Sequence, residues 1–207
     1  MIRNIVFDLG NVLVDFDPKF YMQSFGYSEQ EIQNLFRLIY EDDWRLYDRG
    51  DYASVTDFCH AVCKKHPAYA SAFKKILCPE WVQIHTLKED TASYLAQLKT
   101  RGYRIYLLSN LSKESYDYIS RYPFFALIDG GVFSYQEHIC KPDAGIYEVL
   151  LSRYGLCAEE TVFLDDSEAN ISAAEKHGMH GIVFTSFDQA KMQLEQLLQS
   201  FIISAGT

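Results

Sequence analysis

The stretch Ile2–Val14, IRNIVFDLGNVLV, decides how the rest of the chain is interpreted. Its first half is rich in β-branched and aromatic residues, which is typical of a parallel strand buried on both faces. Asp8 ends this strand, and Gly10 lets the backbone come close to a ligand. Ligands of open α/β sheets bind where strands end, but this segment alone explains Asp8 equally well as a turn residue.

The composition is that of a globular protein with a sizeable core. The chain has 207 residues, of which 48% are hydrophobic and 15% aromatic. This length predicts one domain, or a core domain with a smaller insertion. The net charge of −9 argues against nucleic acid or an anionic membrane as a main partner. An anionic ligand would therefore need a metal ion or a well-placed cation.

The cysteines show no metal-site spacing, and the amino terminus shows no secretory pattern. The five cysteines are widely spaced and lack the CxxC pairs of zinc sites. Cys59 and Cys63 lie four apart, so we interpret them as small core residues on one helix face rather than metal or redox groups. The chain begins directly with a strand, without a secretory pattern, and no apolar run is long enough for a membrane span. We expect a cytoplasmic location.

Two kinds of pattern divide the chain. Between about residues 19 and 81, apolar residues recur at helical spacing, with a capping box at Ser28 and Glu31 and no alternating strand pattern. This block is interpreted as an insertion. From Leu87 onward, predicted helices at 87–102, 112–122, 142–154, 167–177 and 192–203 alternate with predicted strands at 103–108, 131–133, 161–164 and 181–184. Such alternation predicts right-handed crossovers and an α/β fold with a parallel sheet.

Polar residues follow three of the predicted strands at the point where each ends. These are Asp8, the pair Ser109-Asn110 and the pair Asp165-Asp166. A parallel sheet gathers such residues at one edge, and Lys141, just before a helix predicted to begin at Pro142, could point there too. Carboxylates gather a hard cation such as Mg²⁺, whose remaining ligands are water and phosphate oxygens. Lysine and serine can hold the other phosphate oxygens, which leaves one carboxylate to attack phosphorus.

These residues resemble, in order and spacing, the four motifs of the haloacid dehalogenase-like hydrolase superfamily. The motifs are Asp8-Leu9-Gly10-Asn11, Ser109, Lys141-Pro142 and Asp165-Asp166, and the match spans residues 2 to about 185. With Asp143 and the helical insertion, the pattern is most similar to the small bacterial sugar-phosphate phosphatases. The resemblance implies a Rossmann-like three-layer core with a parallel sheet, formed by residues 1–14 and 86–207, and an inserted α-helical cap at 15–85.

The resemblance also implies a role for each motif residue. Asp8 is expected to be the nucleophile that forms an aspartyl-phosphate, which water then hydrolyses. Asp8, Asp166 and the backbone carbonyl of Gly10 are expected to bind Mg²⁺. Asp165 is expected to contact these ligands, or to reach the metal through a water molecule.

The phosphate group has its own expected contacts. Ser109 donates to it, aided by the backbone of Asn110, and Lys141 neutralises charge in the transition state. The expected substrate is a small phosphorylated metabolite, most plausibly a sugar phosphate. The sequence does not decide whether the cap also forms a homodimer interface.

The sequence departs from the superfamily pattern at Gly10. Much of the superfamily has a second aspartate there, which protonates the leaving group and then activates water. Its loss would mean a slower enzyme, a good leaving group such as an anomeric phosphate, or an acid from elsewhere. The candidates for that acid are Asp15, Asp17 and the run Glu41-Asp42-Asp43, although each is better explained as solvated surface.

Gly10 and the acidic pair also separate the possible activities. A phosphomutase of this superfamily needs the missing aspartate, and a 2-haloacid dehalogenase needs no metal, without which Asp165-Asp166 would repel each other. A phosphatase is therefore favoured over a dehalogenase. A weakly active or inactive member that binds a phosphorylated ligand or a protein remains the alternative.

Several other polar or aromatic residues have two interpretations each. Asn11 either contacts the site or shapes the turn, and Asn170 either braces the acidic pair or lies at the surface. Three cap residues either line a substrate pocket or, more often for an aromatic cluster, form core: Trp44, Tyr47 and Arg49.

Overall fold

The structure, a computed structural model, describes residues 1–41 and 43–204, with side chains to residue 200. Its centre is a five-stranded parallel sheet in the order β5-β4-β1-β6-β7, and a short antiparallel pair, β2-β3, lies outside it. The strands are β1 (Asn4–Phe7), β2 (Val14–Asp15), β3 (Thr86–Leu87), β4 (Arg104–Ser109), β5 (Gly130–Phe133), β6 (Thr161–Asp165) and β7 (His180–Val183). The predicted parallel α/β sheet is confirmed.

Helices cover both faces of the sheet. The helices that follow β3 in the chain are α6 (Glu89–Thr100), α7 (Lys113–Ile119), α8 (Ser134–Glu137), α9 (Ala144–Tyr154), α10 (Glu168–Lys176) and α11 (Phe187–Ser204). In β1, Ile5 and Phe7 pack with α6 and α11, whereas Val6 faces α9 and α10 on the other side. Successive strand residues point to opposite faces, so a fully buried strand holds the three layers together.

The segment between β2 and β3 is helical and has its own core. Its α-helices are α1 (Pro18–Gln23), α2 (Glu29–Phe36), α3 (Trp44–Asp48), α4 (Val55–Lys65) and α5 (Ala70–Ile76), with a π-helix at Arg37–Glu41 and 3-10 helices at Pro67–Tyr69 and Pro79–Ile84. Its buried residues, from Met22 to Trp81, form a cluster separate from those of the sheet. The described residues of this segment contain no strand. The capping box at Ser28 and Glu31 is present.

Four predicted helix bounds are wrong. Leu87 does not begin a helix, because it pairs with Val14 in β3, and α6 starts at Glu89. Pro142 does not begin a helix, because the chain turns there, with the Asp143 N–H donating to the Cys140 carbonyl (2.9 Å), and α9 starts at Ala144. The helix capped by Ser112 ends at Ile119 rather than 122. The last helix starts at Phe187 rather than 192, because Ser186 and not the apolar run sets its beginning.

Two further sequence expectations concern cysteines and membranes. Cys59 and Cys63 do share a face of α4, with their Sγ atoms 3.9 Å apart, and Cys59 is buried. Within the part of the chain that the structure describes, no helix combines the length and apolarity that a membrane crossing requires.

Candidate active site

The carboxyl edge of the sheet brings the strand-end residues together. Asp8 directly follows β1, and its N–H donates to the Leu164 carbonyl in β6 (2.9 Å). Ser109 is the last residue of β4 and Asp165 the last of β6. One carboxylate oxygen each from Asp8, Asp165 and Asp166 lies within 4.8 Å of the others. The expected gathering of these side chains is therefore observed.

Lys141 reaches the same place from a neighbouring loop. Its side chain is almost fully buried, with Nζ 2.9 Å from Asp8 Oδ1 and 2.5 Å from Asp165 Oδ2. Burial lowers the pKa of Lys141, but the charges of Asp8 and Asp165 outweigh it and raise this pKa overall. The lysine is therefore a cation bridging two carboxylates.

The Asn110 side chain fixes the backbone at Lys141. Asn110 Oδ1 accepts from the Lys141 N–H (2.7 Å), and Asn110 Nδ2 donates to the Lys141 carbonyl (2.9 Å). The Asn110 side chain is therefore committed to residue 141, and the expected contact of the Asn110 backbone with phosphate stays a prediction.

Asp8 lies in an environment that disfavours its negative charge. The residue is 7% exposed. Burial and then the charge of Asp165 raise its pKa to about 7, although Lys141 and a hydrogen bond from Ser109 act against this rise. A bound cation would compensate for the same lost hydration, so the site gains from either a proton or a metal ion at Asp8.

The two adjacent aspartates differ completely in their surroundings. Asp165 is fully buried and accepts hydrogen bonds from Lys141 Nζ, the Ser167 N–H (2.8 Å) and Asn170 Nδ2 (3.0 and 3.1 Å). Asp166 is exposed, and its Oδ2 accepts from Asn11 Nδ2 (2.8 Å). Asp165 therefore holds its neighbours in place, whereas Asp166 faces the space in front of the sheet edge.

The donor set fits a hard divalent cation. Three carboxylates converge with one buried lysine among them, so the cluster carries more negative than positive charge when ionised. Oxygen-only ligands with excess negative charge suit Mg²⁺ or a similar ion. The convergence of Asp8 and Asp166 is consistent with the metal site that the resemblance implies.

Asn11 and Asn170 have defined structural roles. Asn11 both contacts the site and shapes the turn. Its Nδ2 donates to Asp166, and its Oδ1 accepts from the Phe16 N–H (3.2 Å). Asn11 itself has a left-handed backbone conformation, with φ of 56°. Asn170 is 9% exposed and braces Asp165, so its surface interpretation is wrong. Its carbonyl accepts from the Tyr147 hydroxyl (2.9 Å).

The acids that could replace the missing side chain at Gly10 have other partners. Asp15 pairs with Lys88 (2.9 Å), and Asp17 caps α1 through the Phe20 N–H (2.9 Å). Asp43 pairs with Lys65 (2.9 Å). Glu41 is exposed, and Asp42 lies outside the described residues. The interpretation of Asp15, Asp17 and Glu41 as surface residues agrees with their exposure, and Asp43 is partly exposed.

Asp48 is the acid that sequence reasoning missed. It ends the short helix α3 and lines a cavity of about 60 Å³ together with Gly10 and Ser109. Burial, followed by the charge of Asp8, raises the pKa of Asp48 to about 8, against the influence of Lys141 and of hydrogen bonds to nearby groups. No strand precedes Asp48, and no local pattern distinguishes it from the other acids of the segment.

The aromatic candidates of the helical segment are mainly core. Trp44 and Tyr47 belong to the buried cluster of the segment, and the Tyr47 hydroxyl donates to Glu114. Trp44 also lines the small cavity beside Asp48. Arg49 forms an ion pair with Asp51 and does not line that cavity.

A second, larger cavity lies beside the acidic cluster. Its volume is about 900 Å³, and Asn11 and Phe16 connect its wall to the site residues. Its aromatic wall includes Phe20, which is 70% exposed, and the edge-to-face pair of Tyr21 and Phe25. An apolar group of moderate size can be buried here.

Two curated fungal proteins are similar to this chain over nearly its whole length. Sesquiterpene phosphatase astK of Aspergillus oryzae is 27% identical over 93% of this chain and 95% of its own length. Drimenol cyclase drtB of Aspergillus calidoustus is 24% identical over 97% of this chain, which spans only 37% of that protein.

The fold has solved counterparts. A haloacid dehalogenase family enzyme from Bacteroides thetaiotaomicron, crystallised as an aspartate-to-alanine variant with magnesium and inorganic phosphate, is 21% identical and superposes with a TM-score of 0.69. The match covers 88% of this chain and 93% of that one. At this level of identity the likeness concerns the fold. The family model described as haloacid dehalogenase-like hydrolase matches residues 2–178, and the chain accordingly belongs to this hydrolase family.

Proposed function

We propose that the protein is a Mg²⁺-dependent phosphomonoesterase that acts through an aspartyl-phosphate on Asp8. The observation that carries this proposal is the buried Asp8 carboxylate, held beside Lys141 and two further aspartates at the sheet edge. The family membership, the phosphatase named among its relatives and the phosphate-bound structural counterpart support it.

Each residue of the site has a step in this reaction. An Asp8 oxygen attacks phosphorus, and the bond to the leaving group breaks. Ser109, the Asn110 backbone and Lys141 hold the phosphoryl oxygens and stabilise their charge. Asp165 and Asn170 keep Lys141 oriented. Mg²⁺, held by Asp8, Asp166 and the Gly10 carbonyl, would supply further positive charge against the phosphoryl group.

The helical segment is proposed as the cap predicted for residues 15–85, over a core of residues 1–14 and 86–207. Its separate hydrophobic cluster supports this division, as does the β2-β3 pair at the two connections. Cap residues such as Trp44 then close over the phosphoryl site, and residues further out contact the rest of the substrate.

The substrate is proposed to be a small phosphomonoester, of which the predicted sugar phosphate is one candidate. A second candidate, a phosphomonoester with an apolar organic group, is favoured by the aromatic wall of the large cavity. The names of both fungal relatives, a sesquiterpene phosphatase and a drimenol cyclase, also concern terpenoids. Metal-free dehalogenation is disfavoured, since three carboxylates converge at the site.

The first experiment is phosphate release from a panel of sugar phosphates, a farnesyl monophosphate and p-nitrophenyl phosphate. Each compound is tested with Mg²⁺ and with chelator, for the wild type and for Asp8→Asn. We expect metal-dependent release and a loss of at least about 10⁴-fold in the variant, because the nucleophile is removed. A folded Asp8→Asn protein that retains turnover contradicts the mechanism, and a folded wild type inactive on every compound favours the ligand-binding alternative.

A further inference from the structure

The proposed reaction has a proton requirement that the sheet edge does not meet. When Asp8 attacks phosphorus, the electron pair of the broken P–O bond remains on the leaving oxygen. An alkoxide is a poor leaving group, so a nearby acid must protonate this oxygen as the bond breaks. The residue two positions after the nucleophile, Gly10, has no side chain that could do so.

The other polar groups around the phosphoryl site have different tasks. Lys141 bridges Asp8 and Asp165 at 2.9 and 2.5 Å. Asp165 is fully buried and accepts from three different groups. His85 lines the same small cavity, but it is buried with its Nε2 3.1 Å from the Ser115 hydroxyl, and burial lowers its pKa to about 4. A neutral, enclosed imidazole is a weak proton donor near pH 7.

Asp48 approaches the site from the helical segment. Together with Gly10, Ser109 and Asn110 it encloses the cavity of about 60 Å³. Ser109 and Asn110 are the expected phosphate contacts and Gly10 lies two residues after the nucleophile, so this cavity adjoins the place where the phosphoryl group and its leaving oxygen would lie. We propose that Asp48 is the proton donor to the leaving group, supplied by the helical segment in place of a donor at position 10. This inference rests on the proposed phosphatase function.

The backbone at Asp48 is fastened to the core of the sheet. Its carbonyl accepts from the Ser134 hydroxyl (2.5 Å), and that hydroxyl in turn accepts from the Leu111 N–H (2.9 Å). The carbonyl of the next residue, Arg49, lies 3.1 Å from His138 Nδ1. These contacts on both sides hold the end of α3 at a defined distance from β4 and β5, as a proton donor requires.

The proton balance is complete within the site. In the first step the leaving oxygen takes the proton of Asp48, which becomes a carboxylate, while Asp8 becomes an aspartyl-phosphate. In the second step a water oxygen attacks phosphorus, the bond to Asp8 breaks, and Asp48 takes one proton from that water. Asp48 is thus ready for the next cycle, and inorganic phosphate leaves.

The test compares two substrates of similar size that differ in their need for a proton. p-Nitrophenyl phosphate releases a stable anion, whereas benzyl phosphate releases an alkoxide unless it is protonated. kcat/KM reports only the steps up to departure of the leaving group, so the later water attack does not enter. For Asp48→Asn we expect kcat/KM to fall about 10²- to 10⁴-fold with benzyl phosphate and less than about 10-fold with p-nitrophenyl phosphate.

Two further variants and one wild-type measurement complete the design. Asp48→Glu should restore part of the benzyl phosphate activity, and Asp51→Asn, which alters an acid paired with Arg49 on the same segment, should leave both activities near wild type. If Asp48→Asn does not fold, wild-type kcat/KM across substituted phenyl phosphates decides, because a proton donor makes its dependence on leaving-group pKa shallow.

The outcomes separate this inference from the proposed function. Equal losses on the two substrates, a retained benzyl phosphate activity in folded Asp48→Asn, or a steep wild-type dependence overturns the proton-donor role while phosphatase activity stands. A folded wild type that releases no phosphate from either compound overturns both.

Discussion

The sheet edge and the helical segment both carry aspartates, but the two regions hold them differently. At the sheet edge, Asp8 and Asp165 are buried and share one buried cation, Lys141. In and beside the helical segment, Asp15 and Asp17 are exposed. Asp15 forms an ion pair with a lysine, and Asp17 caps a helix. Burial removes hydration that exposed carboxylates keep, so only the first group needs a partner charge.

This difference teaches where chemistry can be expected. A strand end places its side chain at a fixed edge, and neighbouring strands concentrate charge there. A carboxylate on a short amphipathic helix usually faces solvent, unless the helix end meets that edge. Asp48 is the exception in the described part of the segment, because α3 ends against the small cavity beside Gly10.

The largest difference is expected when each region loses its lysine. Lys141→Met leaves Asp8 and Asp165 buried without their cation, which should lower the free energy of unfolding by about 3–5 kcal/mol and kcat by about 10²-fold or more. Lys88→Met removes only the partner of exposed Asp15 and should cost about 0–1 kcal/mol with little change in kcat. Urea denaturation and phosphate release measure both effects. Similar losses in the two variants would refute the distinction.

A pH titration of stability should sharpen the same comparison. The pKa values of Asp8 and Asp48 are raised to about 7 and about 8, so the folded protein binds protons more tightly than the unfolded chain. In chelator, the free energy of unfolding should therefore fall by several kcal/mol as pH rises from 4 to 8, even though His85, whose pKa is lowered to about 4 by burial, contributes a smaller rise over the same range.

Mg²⁺ should oppose that fall. It binds the deprotonated carboxylates of the folded state, so its stabilising effect should grow with pH. Chemical denaturation at pH 5 and pH 8, with Mg²⁺ and with chelator, measures both trends. A free energy of unfolding that rises with pH in chelator would contradict the conclusion that burial disfavours the charged form of Asp8.

The smallest effect is expected from the helix cap. Asp17→Ala removes the acceptor of the Phe20 N–H and should lower the free energy of unfolding by about 1 kcal/mol. Phosphate release from p-nitrophenyl phosphate should stay near wild type, because Asp17 lines the large cavity and not the small one beside Ser109. A large loss of activity would instead assign Asp17 to the reaction and weaken the contrast between the regions.

The sequence was informative where strand periodicity placed a residue and uninformative where packing did. The parallel sheet, and the meeting of Asp8, Ser109 and Asp165 at its edge, followed from the apolar runs before them. The bracing of Asp165 by Asn170 stayed open, because helical spacing gives a face but not the direction of an amide. Asp48 could not be found, since its approach to Gly10 depends on how two separate clusters pack.

The bounds of elements failed for local reasons. Pro142 suits a first helical residue, but here it lies in the turn that delivers Lys141 to the sheet edge. In the last helix, Ser186 sets the start, although the apolar repeat becomes regular only later. Hydrogen bonds to serine or within a turn override periodicity at the ends of elements.

The paired amide contacts between Asn110 and Lys141 separate shape from charge at the sheet edge. The Asn110 side chain hydrogen-bonds both the N–H and the carbonyl of residue 141, as a neighbouring strand would. The ammonium group of Lys141 instead contacts Asp8 and Asp165. These two contacts of Asn110 do not depend on which side chain residue 141 carries. Exchanging the lysine for a shorter, longer or neutral residue thus changes the electric field at Asp8 while the backbone stays in register, so the site offers a direct way to measure how much of its chemistry is electrostatic.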